Sequence, residues 1–598
     1  MQGAVAASSI AVLMKASPSL TARAAIARRH LFEALLPCVV AVVPVFWVIE
    51  GLRRSTFMPL GRDQGIFQYV AWALRKGERD YVDVRDVNGP LTHWVHVIFQ
   101  SLGGEDPRIF HVLDISVSSI VFTIVGFLLA GCVAAKRPAT LGGQVGWGFA
   151  AFVLLSAQYL GYGYWDQAQR ESFFDWFMLP SVALQLSTLA SERRAAHSRT
   201  GMVLAGALSI APWFGKLTFG AFTLLQLLTI AIEDLSVAER RRALGEFLLG
   251  ALGTTLVGAI VIARTGSLSA YLHITFVDVP TMYRFIWPRT VSDMLAVPRY
   301  AGFAGLAFAS SALVLGLVAM KQLARRFVLV GLLPLAALLS VLVQRKAFLY
   351  HFHPVTASVA FQWLVLLLWS WNAVRSLPQK LHFLRAIPLG VAALVSAHVA
   401  RGVHESPHVQ TAWVETTNAE YRNGESYLSA FRESDYFGWD LRRAANYLGT
   451  KTKEGERVQV YGMDPYVLFW SKRLSATPYI YGYDLNCDAA LIGGPGARPE
   501  ERDRMRIVAM VDGHRRDFDR RLREKPPAAF VFLDKSPLLT KEDALADFEA
   551  HVPQTATWLH AEYAWSKSFD TAHVWLRRDL VTRATQDRDT PLPKRESL

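Results

Sequence analysis

The feature that most constrains the fold is a series of long apolar runs, which recur between about residues 31 and 400 and then stop. A helix needs about 20 apolar residues to cross the roughly 30 Å of hydrocarbon in a bilayer. The runs therefore predict a multi-pass membrane domain over 34–400, preceded by a basic cytoplasmic tail at 1–33 and followed by a soluble domain at 401–598. The eleven expected spans are 34–52, 109–135, 143–160, 172–190, 201–214, 217–232, 244–263, 301–320, 327–343, 352–372 and 386–400.

The distribution of positive charge predicts the orientation of these spans in the membrane. Lys and Arg outnumber Asp and Glu by 63 to 50, and hydrophobic residues make up 52% of the chain. Short cytoplasmic loops are rich in Lys and Arg. In this chain every second connection between spans is basic, and this alternation holds only if 201–232 forms two spans. The pattern predicts a cytoplasmic N-terminus and excludes nucleic acid as a partner. The basic connections carry Lys136 and Arg137; Arg193, Arg194 and Arg199; Arg240, Arg241 and Arg242; Lys321, Arg325 and Arg326; and Arg375, Lys380 and Arg385.

Three segments are expected on the outer side of the membrane. The first outer loop, 53–108, contains two amphipathic stretches, 66–77 and 91–102, that predict helices lying along the interface. The second outer loop is 264–300, and the C-terminal stretch alternates β-like runs with polar helical segments such as 501–524. The fold class predicted is an all-α polytopic membrane protein of about eleven helices with a small C-terminal α/β domain. Its β-like runs are 458–463, 529–534 and 572–578.

Charged residues near a membrane are costly to bury and are therefore functional candidates. Asp63 lies directly after the first span, and Asp83 and Asp86 follow in the same outer loop. A carboxylate held within hydrogen-bond reach of a hydroxyl can act as its general base. Asp is also a good N-cap, so capping of the 66–77 helix is the alternative interpretation of Asp63.

Two further groups of charges lie at the outer ends of the spans. Lys216, Arg345 and Lys346 are in short outer connections, where cations are disfavoured. They would neutralise an anion such as phosphate, or extend toward lipid headgroups. The other group, between the third and fourth spans, predicts either a salt-bridge network or a substrate contact; it comprises Asp166, Arg170, Glu171 and Asp175.

Taken in this order, the motifs resemble those of polytopic glycosyltransferases of the GT-C class. The branch that is most similar holds bacterial protein O-mannosyltransferases, aminoarabinose transferases and lipopolysaccharide-core sugar transferases of the rhizobial type. The resemblance covers most of the chain. It is carried by Arg62-Asp63-Gln64-Gly65, by Tyr81 to Leu91 with Asp83 and Asp86, by Glu171, by Gly215-Lys216 with Thr218, by Lys346, Phe348, Tyr350, His351 and Pro354, and by the stretches 457–480 and 525–534.

The resemblance implies transfer of a single hexose or pentose from a polyprenyl-phosphate carrier to a hydroxyl of an envelope lipid, polysaccharide or protein. The reaction would take place at the outer face of a bacterial inner membrane, with Asp63 as the base. Gln64 stands where many members have a second acid, so no cofactor is certain and a divalent cation is not indicated. The substrate-binding candidates are Asp83, Asp86, Arg170, Glu171, Lys216, Arg345, Lys346, Tyr350 and His351.

Two other classes of protein share some of these features. A polytopic transporter or flippase also has many spans and charged residues within the membrane. A polymerase or ligase that uses diphosphate-linked glycans would also be basic on its outer face. The early Asp63 favours the monosaccharide-phosphate enzyme, and acceptor selection is the hypothesis for 401–598.

Overall fold

The computed structural model describes residues 42, 44–133, 140–190, 197–374, 384, 386–413 and 418–581, and this part of the chain is mostly helical. The helices of the membrane domain are α1 (44–55), α2 (Arg62–Arg75), α3 (Pro90–Gly103), α4 (Pro107–Cys132), α5 (Leu141–Leu160), α6 (Gly163–Asp166), α7 (Arg170–Ala190), α8 (His197–Ile210), α9 (Gly220–Ile232), α10 (Val237–Thr265), α11 (Leu268–His273), α12 (Val279–Thr281), α13 (Val291–Leu295), α14 (Pro298–Ala319), α15 (Val328–Gln344), α16 (His353–Val374) and α17 (Ala386–His404).

The C-terminal part alternates helices with four strands. Its helices are α18 (Pro407–Trp413), α19 (Ala419–Arg422), α20 (Glu425–Ala430), α21 (Gly438–Lys451), α22 (Tyr466–Ser471), α23 (Asp488–Ile492), α24 (Glu501–Glu524), α25 (Ala544–His551) and α26 (Pro553–Glu562). The strands are β1 (Val458–Tyr461), β2 (Ala529–Leu533), β3 (Tyr563–Phe569) and β4 (Ala572–Arg577).

Six helical segments within the described residues are long and apolar enough to cross a membrane. They are Pro107–Cys132, Val237–Thr265, Pro298–Ala319, Arg325–Gln344, Leu349–Val374 and Ile387–His404, and Leu217–Ile232 is a shorter apolar helix. The chain is therefore a multi-pass membrane protein, as its apolar runs predicted. The other predicted spans overlap α1, α5, α7 and α8, so the count of eleven crossings stays a prediction. Several of the basic connections, at 134–139, 191–196, 375–383 and 385, lie outside the described residues.

The 201–232 region is two helices, as the alternation of charged loops predicted. Helix α8 ends at Ile210, and two short 3-10 turns, Ala211–Phe214 and Leu217–Phe219, lead into α9. Gly215, between these turns, lies against Phe174, where an added Cβ would come within 2.0 Å of the ring. Because no side chain fits there, this glycine sets how closely the Lys216 turn approaches α7.

Helix α2 of the first outer loop packs against the C-terminal domain. Eleven of the fourteen residues of α2 are buried, far more than one face of an interfacial helix. Gly65 of α2 packs so closely on Tyr466 that an added Cβ would meet the ring at 2.6 Å. Helix α2 is thus enclosed between the membrane helices and the C-terminal domain, and its polar residues are placed inside the protein.

The C-terminal domain contains one sheet with strand order β1-β2-β4-β3. Strand β1 pairs in parallel with β2, β4 pairs antiparallel with β2, and β3 forms a hairpin with β4. Three of the strands lie in the predicted β-like runs. The edge strand β3 was missed because its middle residues, including Trp565 and Lys567, are exposed and carry little apolar signal.

Buried ion pairs fasten this domain to the outer loops. The Arg85 guanidinium lies 2.9 Å from Asp278 of the second loop and 3.0 Å from Asp484 of the C-terminal domain. Arg62 lies 2.9 Å from Asp464 of the same domain. Removing one partner of a buried ion pair typically costs about 3–5 kcal/mol, so these contacts hold the domain in one position over the membrane helices.

Candidate active site

A cavity of about 230 Å³ lies where α2, both outer loops and the C-terminal domain meet. Its walls carry carboxylates, cations and aromatic rings from segments far apart in the sequence. The cavity is lined by Arg62, Asp63, Ile66, Phe67, Val87, Asn88, Trp165, Arg170, Tyr283, Ile286, Trp287, Lys346, Phe348, Tyr350, Asp435, Met463, Tyr481, Tyr483, Pro537 and Leu538.

Asp63 is half-buried in the first turn of α2 and faces this cavity. The interpretation of Asp63 as the N-cap is wrong, because Gly61 occupies the cap position and no side chain caps the helix. Burial raises the pKa of the Asp63 carboxyl, and the charges of Arg170 and Arg62 and a hydrogen bond from Tyr350 oppose that rise. The Asp63 carboxyl thus has a raised pKa at the wall of the cavity, which suits a proton acceptor.

Arg170 and Tyr350 are neighbours of Asp63 at the cavity. Arg170 begins α7, and its Nη2 donates a hydrogen bond of 3.2 Å to the Tyr350 hydroxyl. The same guanidinium lies over the rings of Phe67 and Tyr350, at 5.9 and 5.6 Å from their centroids. Its Nε makes no hydrogen bond to a described residue and lies 3.8 Å from the Glu171 carboxylate. A buried guanidinium at the wall of a cavity can bind an anion there.

Glu171, Lys216 and His351 form a second group next to Arg170. The Lys216 ammonium donates to the Glu171 carboxylate and to Gln344, and it lies 3.1 Å from Nε2 of His351. Burial lowers the pKa of Lys216 to about 8, against the attraction of Glu171. The structure brings these three side chains together, but they do not line the cavity itself, so their role as substrate contacts stays a prediction.

Lys346 and Arg345 are neighbours in sequence and point to different places. The Lys346 ammonium lies 4.5 Å from the ring centroid of Tyr283 and donates to its backbone carbonyl at 2.7 Å. Arg345 has a left-handed backbone with φ 53° and donates to the Gly496 carbonyl at 2.6 Å. The structure thus brings Lys346 to the cavity and directs Arg345 away from it, to the C-terminal domain.

Asp83 and Asp86, the two later aspartates of the first outer loop, also lie in different surroundings. Asp83 pairs with Arg79 at 3.2 Å and is not in the cavity wall. Asp86 is fully buried and accepts hydrogen bonds from Nε2 of His93 at 3.0 Å and from Nδ2 of Asn88 at 2.7 Å. Because Asn88 lines the cavity, Asp86 acts on the site by fixing this amide.

His93 joins Asp86 to a second buried carboxylate that the sequence analysis had not singled out. Its Nδ1 lies 3.0 Å from Asp80 while its Nε2 lies 3.0 Å from Asp86. Burial lowers the pKa of His93, but the two carboxylates outweigh it and raise the value to about 10. His93 is therefore a cation at neutral pH, and it balances the charge of the loop that carries Asn88.

Several cavity residues were missed by sequence reasoning. Tyr283 comes from the second outer loop, Tyr481 and Tyr483 from the C-terminal domain, and Trp165 from the turn before α7. Aromatic residues are frequent in membrane proteins and at domain cores, so nothing in their local sequence separated them from packing residues. Their position became evident only from the docking of the C-terminal domain.

No group of three or more His, Cys, Asp or Glu side chains is placed to hold a metal ion among the residues that the structure describes. His353 stacks on Tyr162 with ring centroids 3.5 Å apart, and its Nε2 lies 2.7 Å from the Asp166 carbonyl. The His351 and His353 pair thus serves packing and hydrogen bonding, and the cation requirement stays open.

The fold and this site define a class: a multi-pass helical membrane protein whose C-terminal α/β domain closes over a charged cavity. No family model matches the chain. One curated relative, a dolichol phosphate-mannose mannosyltransferase of Haloferax volcanii, is 29% identical over 93 residues. That match covers 16% of this chain and only 19% of the relative.

Two solved structures are similar to this chain over most of its length. ArnT from Cupriavidus metallidurans bound to undecaprenyl phosphate has a TM-score of 0.49 and 14% identity, with 90% of this chain and 97% of that chain covered. The oligosaccharyltransferase AglB from Archaeoglobus fulgidus, in complex with an inhibitory peptide and a dolichol-phosphate, has a TM-score of 0.44 and 11% identity, with 89% and 72% covered. The resemblance to GT-C class membrane glycosyltransferases rests on the ordered motifs of the sequence.

Proposed function

We propose that the protein is a membrane glycosyltransferase that moves a single sugar from a polyprenyl-phosphate carrier to a hydroxyl of a cell-envelope acceptor. The observation that carries this proposal is the cavity in which Asp63, a desolvated carboxylate, lies beside Arg170 and Lys346. A carboxylate and cations within one cavity are what such a transfer needs. The match to a dolichol phosphate-mannose mannosyltransferase supports a polyprenyl-phosphate donor.

The proposed step uses each of these groups once. The acceptor hydroxyl gives its proton to the Asp63 carboxylate while its oxygen bonds to the anomeric carbon of the sugar. The bond between that carbon and the phosphate oxygen breaks, and its electron pair leaves with the polyprenyl phosphate. Arg170 and Lys346 stabilise the charge that develops on the phosphate, an electrostatic effect that is strong in a cavity with little water.

The group formed by Glu171, Lys216 and His351 is proposed to support this step from outside the cavity wall. Lys216 adds positive charge close to Arg170, and Glu171 keeps both cations in position through contacts to each. Asp86 holds Asn88 at the wall, where its amide is available to a sugar hydroxyl. Tyr350 connects Arg170 to Asp63.

The location is proposed to be the outer face of a bacterial inner membrane, with the N-terminus in the cytoplasm. The basic residues of alternate connections support this orientation, because Lys and Arg are retained on the inner side. Residues 34–400 would form the catalytic membrane domain, and 401–598 would lie outside the membrane on the same side as the two outer loops. A polyprenyl donor enters such a cavity sideways from the lipid.

A transfer assay on the full-length protein tests this function. Purified protein in nanodiscs is incubated with a radiolabelled polyprenyl-phosphate sugar and an envelope extract from a strain that lacks the gene. We expect label to move into an envelope glycan, lipid or protein in that reaction, and not when protein is omitted. Uptake of a substrate into sealed vesicles without any transfer would contradict the proposal and favour a transporter.

The pH dependence of donor binding is a further expected result. Burial, with the nearby charge of Lys216, lowers the pKa of Lys346 to about 7. Lys346 therefore loses its charge as the pH rises through 7, and the donor KM is expected to rise by about tenfold between pH 6 and 9, as expected for losing a hydrogen bond to a charged group. Lys346→Arg stays charged throughout this range, so its donor KM should vary much less. Equal pH profiles for the two proteins would contradict a role of Lys346 in phosphate binding.

A further inference from the structure

The two sides of the cavity differ in chemistry. The membrane domain contributes the cations Arg62, Arg170 and Lys346 to the wall. The C-terminal domain contributes two tyrosines, three apolar residues and one carboxylate to the same wall, and none of these lining residues is Lys or Arg. A phosphate is therefore attracted to the membrane side, and the side formed by the C-terminal domain is left for an uncharged part of a substrate.

Tyr481 and Tyr483 stand out on this second side because their rings are parallel. Their centroids are 5.1 Å apart and their planes differ by only 11°. The segment that carries them is held at both ends: the Gly482 amide donates to the Gly462 carbonyl at 2.7 Å, and Asp484 pairs with Arg85 at 3.0 Å. The rings are thus fixed before any ligand binds, which lowers the entropic cost of binding.

A third tyrosine completes this surface from the second outer loop. Tyr283 lies 6.4 Å from Tyr483, measured between ring centroids, and also lines the cavity. Buried tyrosine hydroxyls usually find a hydrogen-bond partner. The hydroxyls of Tyr283, Tyr481 and Tyr483 make no hydrogen bond to any residue that the structure describes. They are therefore available to a ligand in the cavity.

These hydroxyls are also donors at any physiological pH. Burial raises the pKa of Tyr481 and of Tyr483 well above the ordinary value, and nearby carboxylates raise it further. The carboxylates include Asp63, whose charge acts on Tyr481 and on Tyr283. A molecule bound to these rings thus lies close to the proposed base.

We propose that Tyr283, Tyr481 and Tyr483 form a subsite for a sugar ring of the acceptor, so that the acceptor is a glycan or a glycan-bearing lipid. A pyranose has an apolar face of C–H groups and an edge of hydroxyls. The stacked rings fit the face, and the free tyrosine hydroxyls fit the edge. The inference rests on the proposed transfer reaction and names the class of its acceptor.

The acceptor, and not the donor, is assigned to this subsite for a geometric reason. The donor sugar is joined directly to a phosphate, which the cations of the membrane side attract, and its carrier lies in the lipid. Tyr481 and Tyr483 belong to a domain outside the membrane spans, and Tyr283 of the second outer loop connects them to Lys346, whose ammonium lies 4.5 Å from the Tyr283 ring centroid. An acceptor hydroxyl held at these tyrosines would lie close to Asp63, whose charge acts on Tyr481 and Tyr283.

Saturation-transfer NMR on the full-length protein tests the subsite without any transfer reaction. The probes are methyl glycosides of glucose, galactose and mannose, and a short unglycosylated peptide rich in Ser and Thr serves as the comparison. We expect saturation on the C–H face of at least one glycoside and none on the peptide. The Tyr481→Leu/Tyr483→Leu double variant should lose that signal, while Tyr447→Phe, whose hydroxyl bonds Ser566 at 2.6 Å far from the cavity wall, should keep it.

Steady-state kinetics of conservative variants distinguish an effect on acceptor binding from an effect on donor binding. Tyr→Phe changes are chosen because they disturb the fold least. Tyr481→Phe and Tyr483→Phe each remove one hydroxyl, and each should raise the acceptor KM by about fivefold with the donor KM unchanged, as expected for one hydrogen bond. A shift confined to the donor KM would overturn the assignment to the acceptor. Elution as a single species and an unchanged melting temperature identify variants that are folded.

The remaining outcomes distinguish the two proposals. Absence of glycoside saturation in the wild-type protein, or an equal signal in the double variant, would overturn the subsite. Tyrosine-dependent saturation without transfer from any polyprenyl-phosphate sugar would leave the subsite standing and overturn the proposed function.

Discussion

Replacing Asp63 by Asn is expected to lower kcat for sugar transfer by roughly 10²–10⁴-fold, the usual contribution of a general base. The amide keeps the size of the side chain and its place in the first turn of α2, but it cannot take a proton from the acceptor. Donor binding should persist, because Arg170 and Lys346 are unchanged. The measurement is a transfer assay in parallel with donor binding to the same purified variant.

The pH profile gives a second readout of this residue. Burial raises the pKa of Asp63, and the base works only when it is deprotonated. Activity of the wild-type protein should therefore fall as the pH decreases through a value above the ordinary range of Asp, and this acid limb should be absent from any residual activity of Asp63→Asn. Asp503→Asn is the matched control, since Asp503 is a carboxylate of α24 that pairs with Arg284 at 2.9 Å, outside the cavity wall. Full transfer by Asp63→Asn would contradict the role of base.

Replacing Arg170 by Met is expected to have the second largest effect, a loss of about 10²–10³-fold in kcat, as is typical when one stabilising donor is removed from a developing charge. The change removes a cation from the cavity wall and a hydrogen bond to Tyr350. It also removes the charge that most opposes protonation of Asp63. The acid limb of the pH profile should therefore move to higher pH in this variant.

A lower kcat together with a shifted acid limb would distinguish Arg170 from a residue that only stabilises the fold. Arg170→Lys keeps a positive charge but has no planar guanidinium. Compared with Arg170→Met, it should bring the acid limb back close to the wild-type pH, while kcat recovers less. Arg108→Met is the control, because Arg108 lies over Phe57 at 4.5 Å and does not line the cavity. An unshifted acid limb in Arg170→Met would show that Arg170 does not act on Asp63.

Much of the membrane domain was predictable because bilayer chemistry leaves a strong signal in the sequence. The apolar runs coincide with helices such as α4, α10 and α14, whose apolar side chains are not buried within the protein over much of their length. The apolar runs predicted the break at Lys216, and the charge pattern supported it, because only two helices keep the basic loops on one side. In the C-terminal domain, β2 was predictable because all five of its residues are buried and apolar.

The structure brings some of the predicted site residues together, and their roles stay a prediction. Asp63, Arg170, Lys346 and Tyr350 line one cavity, although up to 287 positions separate them in the chain. Arg345 and Asp83 belong to the same motifs but point elsewhere, since a motif sets the order of residues and not the direction of a side chain. The left-handed backbone at Arg345, for example, turns its guanidinium toward Gly496.

The sequence by itself determined that this chain is a multi-pass membrane protein with basic residues in alternate connections and a separate C-terminal domain, because hydrophobicity and charge are properties of each residue in its own place. Only the tertiary structure decided that the C-terminal domain lies on the first outer loop and supplies Tyr481 and Tyr483 to the cavity. Those contacts depend on pairs such as Arg85 with Asp484, 399 positions apart, where ion pairing has no local signature. Long-range pairing of single side chains therefore completed a site of which the sequence revealed only the membrane half.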